Sequence, residues 1–212
     1  MKPPKKPAAR RRAYHHGDLK DQLVAAAEAI ILERGVDGFT LREAARRAGV
    51  SPAAPAHHFK DASGLLAEVA LRGFREFGDA LEAADGRGGD DPARRLHEQG
   101  IAYVNFALNN PARFQLMFRR GKWDPDYPDF EAVANRSFDI LARAIRAARG
   151  LPENAELDED AYGMLMATWS IVHGFAHLAL GGEFDWAAGV RGGTKTILET
   201  FLPLTLKHLP AS

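Results

Sequence analysis

The chain has 212 residues, 46% of them apolar and 26% charged, with 28 Lys+Arg against 28 Asp+Glu, enough for one sizeable core and a small satellite domain. It has no cysteine, which excludes disulfides, cysteine zinc sites and thiol catalysis. No run approaches the roughly 18 uninterrupted apolar residues of a membrane span and the N-terminus lacks the apolar core of a secretory signal, so a cytoplasmic location with no membrane partner is expected.

The neutrality is only global. Residues 1–60 hold 12 Lys+Arg and 6 Asp+Glu, and the remainder hold 16 and 22. A basic front attracts polyphosphate by counterion release while an acidic back repels it, which leaves one end as the nucleic-acid face. At that end, residues 1–16 carry Lys2, Lys5, Lys6, Arg10, Arg11 and Arg12 among prolines. They read as a flexible basic arm, which either follows a phosphate backbone or is a solvated tail.

Gly17-Asp18 opens a helix whose apolar positions Leu19, Leu23, Ala26, Ala27, Ile30 and Ile31 recur at three- and four-residue steps until Gly35 ends it. Thr40 then caps a short helix with Leu41, Ala44, Ala45 and Ala48 on its buried side. Gly49 takes a left-handed turn, and Ser51-Pro52 start a second helix. Two short helices joined so tightly form a helix-turn-helix, the geometry that lays one helix in a DNA groove; an ordinary helical hairpin is the alternative. Small Ala45 and Gly49 are expected to let the two helices approach closely. Phe39, Leu41, Val50 and Phe59, closed by Ile30, Ile31 and Leu65, supply the core of this three-helix module.

Beyond Asp61 a helix carries Leu65, Leu66, Val69, Leu71, Phe74 and Phe77 to about Ala84, where Asp85-Gly-Arg-Gly-Gly-Asp-Asp91 is expected to break it. Helical patterns then cover about 92–108, 111–119, 128–149, 158–181 and 190–208, with Pro or Gly at nearly every joint. The chain is therefore all-α, a three-helix head followed by a helical bundle, with about nine helices. Its last two helices carry Ile171, Val172, Phe175, Leu178 and Leu180, and Ile197, Leu198, Phe201, Leu202, Leu204 and Leu206. That exceeds what a small bundle readily covers and points to a homodimer.

Apolar walls for a ligand cavity are available at Phe106, Phe114, Met117, Phe118, Phe138, Met164, Met166 and Trp169, with His173 and His177 as polar anchors; such stripes also serve as plain core. His173 stands out, because a polar ring in an apolar stretch needs a partner. His173 and His177 share a helix face at metal-binding spacing, and Asp160 or Glu183 could approach. Two histidines without a third placed ligand more often serve packing, so no metal or other cofactor is expected.

Arg34-Gly35, Thr40-Leu41, Ala44-Ala45, Ala48-Gly49-Val50-Ser51 and His58-Phe59, followed by a polar turn and Leu65-Leu66, together make the chain resemble the tetracycline-repressor (TetR) family over nearly its whole length. Tyr14-His15-His16-Gly17-Asp18-Leu19 and Trp169-Ser170-Ile171-Val172-His173-Gly174 are similar to a subgroup with a Trp-xxx-His-Gly signature in its C-terminal domain. The resemblance implies a helix-turn-helix DNA-binding domain over 17–64 and a ligand-binding and dimerisation domain over 65–212, paired through the last two helices. It carries DNA contact onto Thr40, Arg42, Ser51, Ala53, Ala54, His57, His58 and Lys60. Hydroxyls and N–H groups at helix starts suit phosphate, Arg42 and Lys60 add charge, and the alanines allow close approach to bases. For Arg46 and Arg47 a phosphate contact and a solvated surface are both open.

The family commonly has an aromatic residue where this chain has Ala56, which removes one phosphate contact. Replacing Ala56 by Tyr is expected to tighten DNA binding in a titration at fixed salt. Pro55 also departs from the general pattern, and with Ser51 as cap its missing N–H makes the start of the helix irregular.

Two functions fit. One is a ligand-responsive transcriptional regulator, a repressor in most of the family, acting as a homodimer on a palindromic double-stranded DNA operator and answering an unidentified small-molecule effector. The other is a helical ligand-binding or adaptor protein with a degenerate helix-turn-helix. No nucleophile-base pair, phosphate loop or carboxylate constellation points to an enzyme.

Overall fold

A computed structural model describes residues 16–185 and 196–209. The basic arm up to residue 15 and the first part of the expected last helix lie outside the described residues. Nine α-helices occur among the described residues: α1 (His16–Arg34), α2 (Leu41–Arg47), α3 (Ala54–Phe59), α4 (Ala62–Gly88), α5 (Pro92–Asn109), α6 (Pro111–Met117), α7 (Phe130–Ala148), α8 (Glu159–Leu180) and α9 (Leu202–Leu206). A 3-10 turn, Val36–Gly38, follows α1, and a π-helical stretch, Ile197–Phe201, runs into α9. There is no strand among the described residues.

The helix starts follow their caps. Asp61, Asp91 and Asp158 each accept from backbone N–H groups of the first turn of α4, α5 and α8, satisfying donors that have no partner within the helix. Pro92 and Pro111 stand at the first positions of α5 and α6, where no N–H is needed. Pro203 does the opposite inside the last helix: without an N–H it cannot bond the preceding turn, which widens into the π-helical stretch. The continuous helix expected over 190–208 is thus interrupted where it is described.

α4 spans 27 residues, about 40 Å, and is the spine of the molecule. It packs against α1 and α3 at one end and against α5, α6 and α7 beyond. One continuous apolar core runs along it, from Leu23, Ile30 and Phe59 through Leu65, Phe74 and Phe77 to Val104, Phe114, Val172 and Leu206. The head therefore has no separate core of its own. Phe39, Leu41 and Val50 are only half-buried against it. A smaller cluster of Leu96, Ala142, Ile145, Ala161, Met164 and Leu165 joins α5, α7 and the start of α8.

α4 also corrects the expected break at residues 85–91. Asp85 to Gly88 remain helical, and only Gly89, at φ +62°, turns the chain. Gly88 is small for a packing reason: a Cβ there would come within 2.5 Å of the Arg95 Cα on α5. Asp85 is buried among polar partners.

Candidate DNA-contact surface and ligand cavity

Thr40 caps α2 as expected: its backbone is extended (φ −139°, ψ 142°) and its hydroxyl accepts from the Glu43 N–H at 3.3 Å. Glu43 accepts from Arg46 at 2.8 Å and from Arg47 at 3.0 Å, and these bonds hold its carboxyl down to about 2. Arg47 also makes a two-pronged pair with Glu33 of α1, at 2.7 and 2.6 Å. It is a strut between α1 and α2. Arg42 is exposed. Gly49 takes φ +68°, and a Cβ there would meet nothing within 4 Å. The tight turn requires this glycine; close approach of the helices does not.

α3 begins at Ala54, three residues later than the expected start at Ser51. Ser51–Ala53 form a turn in which the Ala54 N–H donates to the Ser51 carbonyl at 3.0 Å, and Pro55 falls in the first turn, where its missing N–H leaves nothing unpaired. Pro55 and Phe59 are buried, whereas Ser51, Ala53, Ala56, His57 and Lys60 are exposed. Ala54 and His58 are half-buried. Lys60 adopts φ +66°, uncommon for a side-chain-bearing residue, where the chain turns from α3 into the Asp61 cap. Thr40, Arg42 and Arg46 share a shallow groove with Val50 and Pro52, which brings the start of α2 and the turn before α3 to one surface.

The second site is a cavity of about 620 Å³ walled by α4, α5, α7, α8 and the segment between α6 and α7. Of the residues singled out by sequence, Met117, Phe118, Phe138, Trp169 and His173 line it. The others do not. Phe106 and Phe114 are buried core, Met164 belongs to the smaller cluster, Met166 is an exposed apolar side chain, and His177 is exposed with its ring 4.5 Å from that of His173. Among the described residues no three His, Cys, Asp or Glu side chains gather as a metal site would require.

His173 has its partner in Tyr103 of α5, whose hydroxyl lies 2.7 Å from His173 Nδ1 and 3.3 Å from Trp169 Nε1. Indole only donates, so the Tyr103 hydroxyl accepts from Trp169, and which of Tyr103 and His173 Nδ1 donates across their own bond follows the imidazole tautomer. Burial pushes the Tyr103 phenol up and keeps it protonated. Burial, and then the neighbouring His177, push His173 below its ordinary value, so the ring is neutral at pH 7. Gln99 and Thr168 add neutral polar groups to the wall. The Thr168 hydroxyl is buried with no partner among the described residues. Gln99 and Tyr103 carry a signal the sequence reading missed: polar side chains four apart in the apolar stripe of α5.

The segment between α6 and α7 faces two ways. Phe118, Arg120 and Trp123 line the cavity, with Trp123 stacked at 4.1 Å on Phe130, the first residue of α7. Their neighbours hold the head. Arg119 and Lys122 each pair with Asp37, in the turn between α1 and α2, at 2.6 Å. The Asp124 N–H donates to the Ser63 carbonyl at 3.3 Å, and the Tyr127 hydroxyl donates to Glu68 at 2.8 Å. Glu68 also pairs with Lys20 of α1 at 2.9 Å.

Residues 23–69 match the family described as bacterial regulatory proteins, tetR family, and residues 96–201 match the tetracyclin repressor-like C-terminal domain. The chain is 29% identical over 190 residues to the uncharacterized HTH-type transcriptional regulator YobS of Bacillus subtilis (strain 168), covering 88% of this chain and 92% of that protein. The fold is similar to that of a protein of unknown function from Rhodococcus sp. RHA1, with a TM-score of 0.71 and 30% identity, covering 94% of this chain and 99% of that one. It is also similar to PfmR, a TetR family transcriptional regulator from Thermus thermophilus, with a TM-score of 0.63 and 21% identity over 91% and 98% of the two chains.

Proposed function

The chain belongs to the tetR family of DNA-binding transcriptional regulators, and from that premise we propose a cytoplasmic, ligand-responsive repressor that grips a palindromic operator as a homodimer. Ser51, Ala53, His57 and Lys60, with Ala54 and His58 beside them, would enter the major groove or its rim. Thr40 and Arg42 would hold the adjoining phosphates. The basic arm, residues 1–16, would add phosphate contacts.

The observation that carries the ligand response is the two-faced segment between α6 and α7. A molecule filling the cavity presses on Phe118, Trp123 and Phe130, and the same segment is tied to the head directly at Asp37 and Ser63 and, through Glu68 of α4, to Lys20. An effector that fits one placement of this segment better than another biases the head by that difference in affinity and by nothing else.

The dimer reading rests on α8 and α9. α8 is long and apolar enough to cross a membrane by length and composition, yet it packs against α5 and α7 and only a third of its most apolar stretch is buried. Of the residues first assigned to the interface, Val172, Phe175, Ile197, Leu202 and Leu206 are buried within the chain itself. The uncovered face carries Tyr162, Met166 and Leu178 with Leu204 of α9. Gly163 and Gly174 on α8 have open space around them, which would let a partner helix approach closely.

Selecting DNA fragments with the purified protein and sequencing them tests the reading. Two half-sites related by a dyad, retained in a salt-dependent way, are the expected result. A protein that enriches no sequence is instead the helical ligand-binding or adaptor protein.

A further inference from the structure

We propose that the cavity selects an aromatic monoacid: a flat apolar ring system carrying one carboxylate-like anion that reaches Arg120 at the rim. This rests on the cavity being the effector site and names what that site takes.

Charge decides the class. Arg120 is the one formally charged side chain among the described residues that line the cavity, and no Asp or Glu does so. Arg119 and Lys122, its neighbours in the same segment, are both engaged by Asp37. Arg120 is exposed and has neither hydrogen bond nor ion pair among the described residues. The carboxylate nearest to the wall in the bonding network, Asp85, is already occupied by Arg95, Gln99 and Arg143, and His173 is neutral in its bond with Tyr103. A cationic ligand would shed its hydration here with no counter-charge to meet it. A monoanion finds a guanidinium whose planar donors match both carboxylate oxygens.

The walls decide the body. Phe74, Phe77, Phe118, Trp123, Phe130 and Trp169 surround the space, and aromatic faces and edges favour offset or edge-on contact with another ring. About 620 Å³ is a usual size for a cavity that encloses one small molecule. A second strong anion has no partner among the described lining residues, so the acid is single.

Three probes sharing one ring system separate charge from shape: anthracene-9-carboxylate, 9-anthracenemethanol and 9-anthracenemethylammonium. Trp123 and Trp169 line the cavity, so energy transfer from tryptophan to anthracene reports occupancy. The carboxylate is expected to bind about tenfold more tightly than the ammonium, with the alcohol between them. Arg120→Gln is expected to weaken the carboxylate about fivefold and leave the alcohol unchanged, which also shows that the variant is folded. Equal affinities, or an ammonium that binds best, overturn the acid while the effector reading stands. No energy transfer from any of the three overturns the cavity as a ring-binding site, and the effector reading with it.

Discussion

Glu68 and Asp85 are buried carboxylates on the same helix, 4% and 6% exposed, and they meet the same problem with different consequences. Asp85 takes both donors of Arg95 at 2.8 and 2.7 Å, the Gln99 amide at 2.7 Å and Arg143 at 2.9 Å. All of these belong to α5 and α7, so the cluster braces the body internally and fixes Gln99 on the cavity wall. Glu68 takes Lys20 from α1, Arg72 from its own helix and Tyr127 from the segment that walls the cavity. It joins α1 of the head to the segment that walls the cavity. Burial pushes both carboxyls up, and in each case the surrounding hydrogen bonds outweigh it and hold the group below its ordinary value. A buried charge can thus lock a domain or couple two, and which it does depends on where its partners sit.

The sharpest way to break this contrast is to remove each acid. Asp85→Ala strands Arg95 and the Gln99 amide against the body while Arg143 keeps Glu82, and the loss of stability in urea is expected to be about 3–5 kcal/mol. A loss below about 1 kcal/mol would mean that the cluster is not a brace. Glu68→Gln should cost less, about 2 kcal/mol, because Lys20 and Arg72 are partly exposed and can rehydrate. Its distinguishing effect is on coupling: an effector that releases operator DNA from the native protein should release it less completely from Glu68→Gln. An unchanged response would place the joint elsewhere.

The same contrast explains what could be read from sequence. The head was legible because its signals are local: the Thr40 cap, the glycine turn and the apolar spacing of α1 each act within a few residues. Even there the start of α3 slipped by three residues, since Ser51 looks like a cap and only the position of Pro55 in the helix shows that it is not. Asp85-Gly-Arg-Gly88 read as a breaker because the Arg95 backbone that demands Gly88, and the guanidiniums that hold Asp85, come from distant parts of the chain. The cavity was half legible for the same reason. His173 advertised an unmet need, but its partner Tyr103 lies 70 residues away, and no spacing rule separates lining Phe118 from core Phe114 one turn earlier.

Thr168 is a buried polar group with neither brace nor joint. Its hydroxyl is desolvated and unpaired among the described residues, so Thr168→Val, nearly the same shape, removes a cost rather than a bond. The variant is expected to gain about 1 kcal/mol, seen as a higher thermal midpoint in the absence of effector. A loss instead would show that the hydroxyl has a partner in solution.

His173 avoids buried charge by giving it up, and that choice has a pH signature. Burial and His177 hold its pKa below the ordinary 6.5, so on acidification the unfolded chain takes up a proton before the folded one does. Stability from this residue is therefore complete above about pH 6.5 and declines as pH falls toward the lowered native value. Protonation would also put a proton on both ring nitrogens, so that Nδ1 could only donate to the Tyr103 hydroxyl across the 2.7 Å contact. His173→Gln cannot be charged and still offers Tyr103 an acceptor, so the difference in stability between native and variant, followed by urea titration from pH 7.5 to 5.5, isolates the effect of His173 and its coupling to His177 from that of the more distant histidines. The native protein should lose ground to the variant as pH drops. A gain would mean that His173 is protonated in the folded state, and the cavity would then hold a second cation.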